Sequence, residues 1–86
     1  MSRFRARVRV MPRPSILDPQ GQAVSHALGE LGFGGVADVR VGRAVELWLD
    51  AASADAARDG ALAMCERLLA NPVTEDYVLE TVEPAS

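Results

Sequence analysis

A chain of 86 residues has room for one small domain that hides about 60–65% of the surface it would expose unfolded, too little to enclose a deep substrate pocket unless a second chain supplies a wall. One cysteine excludes an intrachain disulfide, and one histidine leaves no Cys/His spacing for zinc, so no metal site is expected and a reducing cytosol is the plain reading. The net charge of −3 conceals an asymmetry, since all nine basic residues are arginine and five of them fall in the first thirteen positions, where they break up any apolar leader.

The first element alternates Phe4, Ala6, Val8 and Val10 against Arg5, Arg7 and Arg9, the pattern of a half-buried strand, and Met11-Pro12-Arg13-Pro14 stops it. Asp18 stands where a helix N-cap belongs, with Pro19 at the first helical position. Val24, Ala27, Leu28 and Leu31 form one stripe at helical spacing, and Gly32 is suited to the left-handed residue that closes the helix, with Phe33 folding back. The first helix is therefore expected from about Pro19 to Leu31.

Ala37-Val39-Val41 and Val45-Leu47-Leu49 read as two strands of a hairpin around Gly42. A two-residue loop would set Val39 against Glu46, so an odd-length connection or a bulge is expected, pairing Val41 with Val45, Val39 with Leu47 and Ala37 with Leu49. Ser53 caps a second helix with apolar positions at Ala54, Ala57, Ala61, Met64, Cys65 and Leu68, and Asn71-Pro72 ends it. A last strand is expected from about Asp76 to Val82.

This order predicts an α+β fold of the ferredoxin-like βαββαβ plan, one domain with its core at about residues 4–82. It consists of a four-stranded antiparallel sheet with both helices on one face, because such crossovers are right-handed. No stretch approaches the ~20 apolar residues of a membrane span, so a soluble cytoplasmic protein is expected.

The uncovered sheet face is then where binding can be argued. It would carry Arg5, Arg7, Arg9, Glu46, Trp48 and Asp50, with Asp38, Arg40, Val78, Glu80 and Val82 from edge strands. An arginine row beside a tryptophan suggests RNA, but the carboxylates balance the arginines and one aromatic makes no stacking platform, so nucleic acid is not expected. Cross-strand ion pairs on a solvated face are the bland reading. A protein interface anchored by Trp48 is the preferred one.

No side chain makes a catalytic pair. Cys65 lies in the apolar stripe of the second helix, where a small thiol packs, and His26 lies off the stripe of the first helix. Without lysine there is no glycine-rich phosphate loop. Asp18-Pro19-Gln20-Gly21 puts glycine in a first helical turn, where it costs close to 1 kcal/mol against alanine; capping with close approach by another backbone is the preferred reason, and an anion held at the helix N-terminus is the alternative. Asn71-Pro72 ends a helix, and the following Glu75-Asp76-Tyr77 sets two carboxylates and an aromatic at a loop mouth, which suits partner recognition. Tyr77 alternates with Leu79 and Thr81 and equally suits the core.

These segments, with Val39-Arg40-Val41-Gly42-Arg43, Leu28-Gly29-Glu30-Leu31-Gly32-Phe33 and Cys65-Glu66-Arg67-Leu68-Leu69-Ala70, resemble in order and spacing the PurS family, small subunits of phosphoribosylformylglycinamidine synthase. The resemblance runs from Phe4 to Val82 and implies a non-catalytic subunit of a purine-biosynthesis ligase. The reaction it implies makes formylglycinamidine ribonucleotide from formylglycinamide ribonucleotide, glutamine and ATP. It further implies a homodimer or dimer of dimers, partnered by a glutaminase subunit, PurQ, and a synthetase subunit, PurL. ATP and Mg belong to the synthetase, and this chain binds no cofactor.

Carried over by motif, Asp18, Gln20, Gly21, Arg40, Gly42, Arg43, Asn71, Pro72, Glu75, Asp76 and Tyr77 are the partner-interface candidates, joined by Trp48 from the sheet face. Arg43 stands where members of the family often carry lysine, an exchange that is safe only where the contact is not bidentate. The competing reading is a small-molecule-sensing ferredoxin-like module, with a ligand between the first helix and a neighbouring chain near Gly32-Phe33.

Overall fold

The computed structural model describes residues 1–85. Strand β1 (Ser2–Pro12) leads to helix α1 (Pro19–Glu30), strand β2 (Arg43–Ala51), helix α2 (Ala54–Met64) with a wide π turn at Cys65–Leu69, and strand β3 (Glu75–Pro84). Among the described residues the strands form one antiparallel sheet in the order β2-β1-β3.

The centre of the sheet falls to β1 because its alternation is the cleanest in the chain. Phe4, Ala6, Val8 and Val10 are all buried, and the arginines between them face the other way. Against β2 the register sets Phe4 opposite Leu49, Ala6 opposite Leu47 and Val8 opposite Val45 on the core side, with Arg5 opposite Trp48 on the other.

Helix α2 lies on the apolar side of the sheet and packs on all three strands. Its N-terminus is capped by Ser53, whose Oγ accepts the Ala56 N–H at 3.1 Å. Fully buried Ala57 and Ala61 make its sheet-facing stripe narrow, which lets the helix sit close. The core forms two clusters, one of Val8, Val10, Cys65 and Ala70, the other of Phe4, Ala51 and Ala57. In the π turn the Ala70 N–H reaches the Cys65 carbonyl at 3.1 Å, and Asn71-Pro72 ends the helix as expected.

The expected hairpin of residues 37–49 does not form, and the sheet has three strands, not four. Residues 36–42 make no ladder, so Val41 does not pair with Val45, Val39 with Leu47 or Ala37 with Leu49, and no odd-length turn is needed. The reason is one contact from earlier in the chain. Asp18 Oδ2 accepts the Val41 N–H at 2.8 Å, so the donor that would have entered a hairpin is held by the cap of α1. The chain then runs directly into β2, where Arg43 pairs with Val10 of β1. Asp38 and Arg40 consequently leave the sheet face on which they were expected.

A second departure lies in β3. Its pairing with β1 shifts register between Arg7 and Val8, so that Leu79 opposes Val8 but Thr81 opposes Arg7. Glu80 is the additional residue of a β-bulge. The bulge reverses the face of everything beyond it: Val82, expected outward, packs with Phe4 and Ala51, while Thr81, expected inward, is exposed.

The third departure is α1. Its ends follow expectation, with Asp18 as cap and a Schellman closure in which Gly32 (φ 97°) donates to Gly29 O at 3.1 Å and Phe33 to Leu28 O at 3.0 Å. Yet only Gly21 of this helix is buried, and Leu31 and Phe33 stay 73% and 58% exposed. Instead of lying beside α2 on the sheet, α1 stands off it. The radius of gyration is 16.5 Å, against about 12 Å for a compact chain of this length.

Gly21 shows why the first turn tolerates no side chain. A Cβ there would meet the Val39 carbonyl oxygen at 2.5 Å and collide with the Asp18 carboxylate, whereas one at Gly29 would meet nothing within 4 Å. The close backbone approach expected from the sequence is therefore present. Alanine at the two positions should act with opposite sign: Gly21→Ala should destabilise by about 1–3 kcal/mol through overpacking, and Gly29→Ala should stabilise by about 0.4–1 kcal/mol. Thermal unfolding of the two variants checks this, and equal shifts would contradict the geometry.

Candidate functional site

Three chain segments distant in sequence converge at the end of the sheet where β1 leaves, α1 starts, β2 begins and β3 begins. They are the segments singled out in the sequence.

The first set centres on Asp18. One carboxylate oxygen accepts the Gly21 N–H at 3.0 Å and the other the Val41 N–H. Two backbone donors favour the charged form and hold Asp18 below the ordinary carboxylate range, Val41 contributing most. Arg40 donates to the Pro12 carbonyl, and Gly42 passes so close to the Val10 carbonyl and Met11 that a Cβ would collide with both. Asp18, Gly21, Arg40 and Gly42 are thus one unit that ties residues 39–42 to the exit of β1.

The second set centres on Glu75. Arg43 grips it with two bonds, Nη1 to Oε2 at 2.5 Å and Nη2 to Oε1 at 2.9 Å, and Nη2 also reaches the Leu69 carbonyl at 2.5 Å, a helix-end acceptor without a backbone partner in the helix. The Asn71 N–H donates to Glu75 Oε1 at 2.8 Å, while Asn71 Oδ1 accepts from Val73 N–H at 2.9 Å in an Asx turn. The Arg43 bond and then the Asn71 amide hold Glu75 below its usual range. Arg13, passed over in the sequence as a strand breaker, donates to the Pro72 carbonyl at 2.6 Å and approaches Asp76 at 3.3 Å. Its only signal was its place between Pro12 and Pro14.

Tyr77 is half-buried beside Val8 and Val10, with its hydroxyl 3.3 Å from Glu66 Oε1, so it serves the core and the loop mouth together. With Arg13, Cys65, Pro72 and Asp76 it lines an open cleft of about 640 Å³. The structure therefore brings together Asp18, Gly21, Arg40, Gly42, Arg43, Asn71, Pro72, Glu75, Asp76 and Tyr77. Gln20 is exposed on the first turn of α1 and enters neither set. Trp48 lies apart on the open sheet face, 59% exposed.

That face is electrically settled. Arg3 pairs with Asp50 and Arg5 with Glu83, both at 2.9 Å, and Glu80 reaches Arg7 at 3.5 Å and Arg9 at 3.6 Å. The bulge at Glu80 is what lets one carboxylate serve two arginines. An arginine row neutralised in this way offers little to a phosphate backbone.

Cys65 and His26 do not form a catalytic pair. Burial pushes the Cys65 thiol up, away from the reactive thiolate, and His26 is exposed on α1, 3.1 Å from Glu30. Among the described residues no group of three or more His, Cys, Asp or Glu is placed to hold a metal ion, and no helix is long and apolar enough to cross a membrane. Gly32-Phe33, where a sensing module would hold its ligand, is the exposed end of α1.

Residues 5–83 match the family model PurS, phosphoribosylformylglycinamidine (FGAM) synthase. The chain belongs to the PurS family. It is 53% identical over 76 residues to the PurS subunit of that synthase from Mycobacterium leprae, covering 87% of this chain and 91% of that one. Its structure is similar to Thermus thermophilus PurS, with a TM-score of 0.88 at 40% identity over 98% and 99% of the two chains. It is also similar to a chain of the Thermotoga maritima PurLQS structure, with a TM-score of 0.82 at 29% identity over 99% and 100%.

Two outcomes follow from the Asp18 and Glu75 clasps. Arg43→Lys should lower stability by about 1 kcal/mol, since an ammonium cannot reproduce a fork on Glu75 together with the Leu69 contact; an unchanged melting temperature would contradict it. Both carboxylates have native values below their unfolded ones, so their contribution is complete above about pH 5 and is lost as pH falls through the carboxylate range of about 4 and below. A melting-temperature series should show this acid limb, and Glu75→Gln, weaker at neutral pH, should show a shallower one.

Proposed function

We propose that this chain is the PurS subunit of phosphoribosylformylglycinamidine synthase, a scaffold that performs no chemistry. It bridges a glutaminase subunit, PurQ, and a synthetase subunit, PurL, so that ammonia released from glutamine reaches the ATP-activated formylglycinamide ribonucleotide. ATP and Mg sit on the synthetase in this reading, in keeping with the lack of a lysine-bearing glycine-rich phosphate loop in this sequence. A cytoplasmic location fits that pathway.

The observation that carries this reading is the similarity along almost the whole chain to a chain of the Thermotoga maritima PurLQS structure. The burial of Cys65 in the core is consistent with it. So is the elongated shape, which suits a homodimer, or two dimers paired, better than a lone protomer. Tethering two enzymes makes their encounter intramolecular, with effective concentrations on the order of millimolar, and favours ammonia transfer over escape.

The motif residues divide between two tasks in this reading. Asp18, Gly21, Arg40, Gly42, Arg43, Asn71 and Glu75 shape the end of the sheet by bonding to one another and to backbone, while Pro72, Asp76 and Tyr77 at the cleft, with Gln20 on α1 and Trp48 on the open face, are the surfaces offered to partners.

The purified chain should neither hydrolyse glutamine nor consume ATP, and Cys65→Ala should leave glutamine-dependent turnover of the assembled complex within about twofold. Loss of turnover with the complex still assembled on a sizing column would overturn the scaffold reading.

A further inference from the structure

Ion pairing on the open sheet face is uneven. At one end Arg3 and Arg5 each hold a carboxylate of their own, Asp50 and Glu83, at 2.9 Å. At the other end Arg7 and Arg9 share one, their Nε atoms standing 3.5 and 3.6 Å from the two oxygens of Glu80. Those separations exceed the about 2.7–3.2 Å of a good N–H···O bond, so the donors of both guanidinium forks are largely unspent. Because both reach for the same carboxylate, the two groups lie side by side.

Beside them the face is concave. Arg7, Arg9 and Glu80 line a cavity of about 320 Å³ whose other wall carries Arg40, Gly42 and Arg43. Arg40 is fixed by its bond to the Pro12 carbonyl, and Arg43 by its fork on Glu75 and its reach to the Leu69 carbonyl. These two bring positive charge to the wall without being free to swing away, which lowers the ordering cost of binding. Four arginines and one carboxylate therefore line the cavity. The acids behind it are engaged, Glu75 by Arg43 and Asp18 by the amides of Gly21 and Val41. Glu46, opposite Arg7 across the ladder, is exposed and is the remaining competitor.

We propose that this cavity is an oxyanion site that takes a phosphate group, whether of a phosphate monoester or of the free ion. A carboxylate is filled by one guanidinium fork, whereas a phosphate dianion presents three oxygens and two charges, enough to engage the forks of Arg7 and Arg9 together. The volume lies at the low end for ligand cavities, so the site holds the phosphate and leaves the organic part of an ester outside. A nucleic-acid backbone would need a row of unpaired cations, and Arg3 and Arg5 are already spent. The bulge in β3 aims Glu80 at both arginines, and its carboxylate keeps the two forks together until a more highly charged anion competes for them. This site goes beyond the scaffold role and does not depend on it.

The full ¹⁵N-labelled chain, titrated with inorganic phosphate and separately with ribose 5-phosphate and acetate, tests it at constant ionic strength and about pH 8, where a phosphate monoester is a dianion. Both phosphates should shift the Nε–H signals of Arg7 and Arg9 and the amides of Arg43 and Ala44 along one saturable curve, with a Kd on the order of millimolar. Tighter binding of the ester identifies it as the source, tighter binding of inorganic phosphate identifies the free ion, and either supports the site.

Arg7→Gln with Arg9→Gln, at exposed positions and so compatible with folding, should weaken binding at least ~10-fold. Arg3→Gln with Arg5→Gln, an equal loss of charge on the same face, should change it less than about twofold. Glu80→Gln, which removes the competing carboxylate, should tighten it at least ~3-fold. Equal weakening by the two arginine pairs, shifts that never saturate, or acetate bound as tightly as phosphate would overturn the proposal.

Discussion

The bond from the Asp18 carboxylate to the Val41 amide decides how this chain is arranged. Its other oxygen caps α1 through Gly21, so one side chain fixes both the start of the helix and the strand of chain that returns past it. With Val41 held there, residues 36–42 cannot fold back on β2, and the sheet ends at three strands. The same bond needs Gly21 to be bare, because the Val39 carbonyl lies where a side chain would start. A cap, a glycine and a missing hairpin are one constraint seen from three positions.

Much of this was legible beforehand. Local rules found β1, both helix caps, the Gly32 closure and the end of α2, because each depends on side chains within a few residues of one another. The bare first turn at Gly21 was also readable, as was the near-neutral arginine face. What failed depended on contacts across the chain. Nothing in Ala37-Val39-Val41, whose alternation is as good as that of a strand, shows that a carboxylate about twenty residues earlier takes its amide. The bulge at Glu80 was hidden likewise, since both Thr81 and Val82 are acceptable strand residues and only the pairing with β1 shows which one turns inward.

Most of the candidate residues converge at one end of the sheet. Several of these residues also hold one another: Arg43, Glu75, Asn71 and the Leu69 carbonyl share one set of bonds, Asp18 joins Gly21 and Val41, and Arg40 reaches Pro12. Arginine at position 43 is therefore a bidentate clasp on Glu75. Two small clusters of apolar side chains give the domain its stability, and polar clasps at one end give it its shape.

The account stands on a division of labour in which larger subunits do the chemistry and this chain governs only their meeting. Reconstituted synthetase and glutaminase, assayed with and without this chain on glutamine and then on free ammonia, measure that division. Omission of the chain should abolish formylglycinamidine ribonucleotide formation from glutamine while leaving formation from ammonia largely intact; loss of both in equal measure would place the chain within the chemistry and contradict the account.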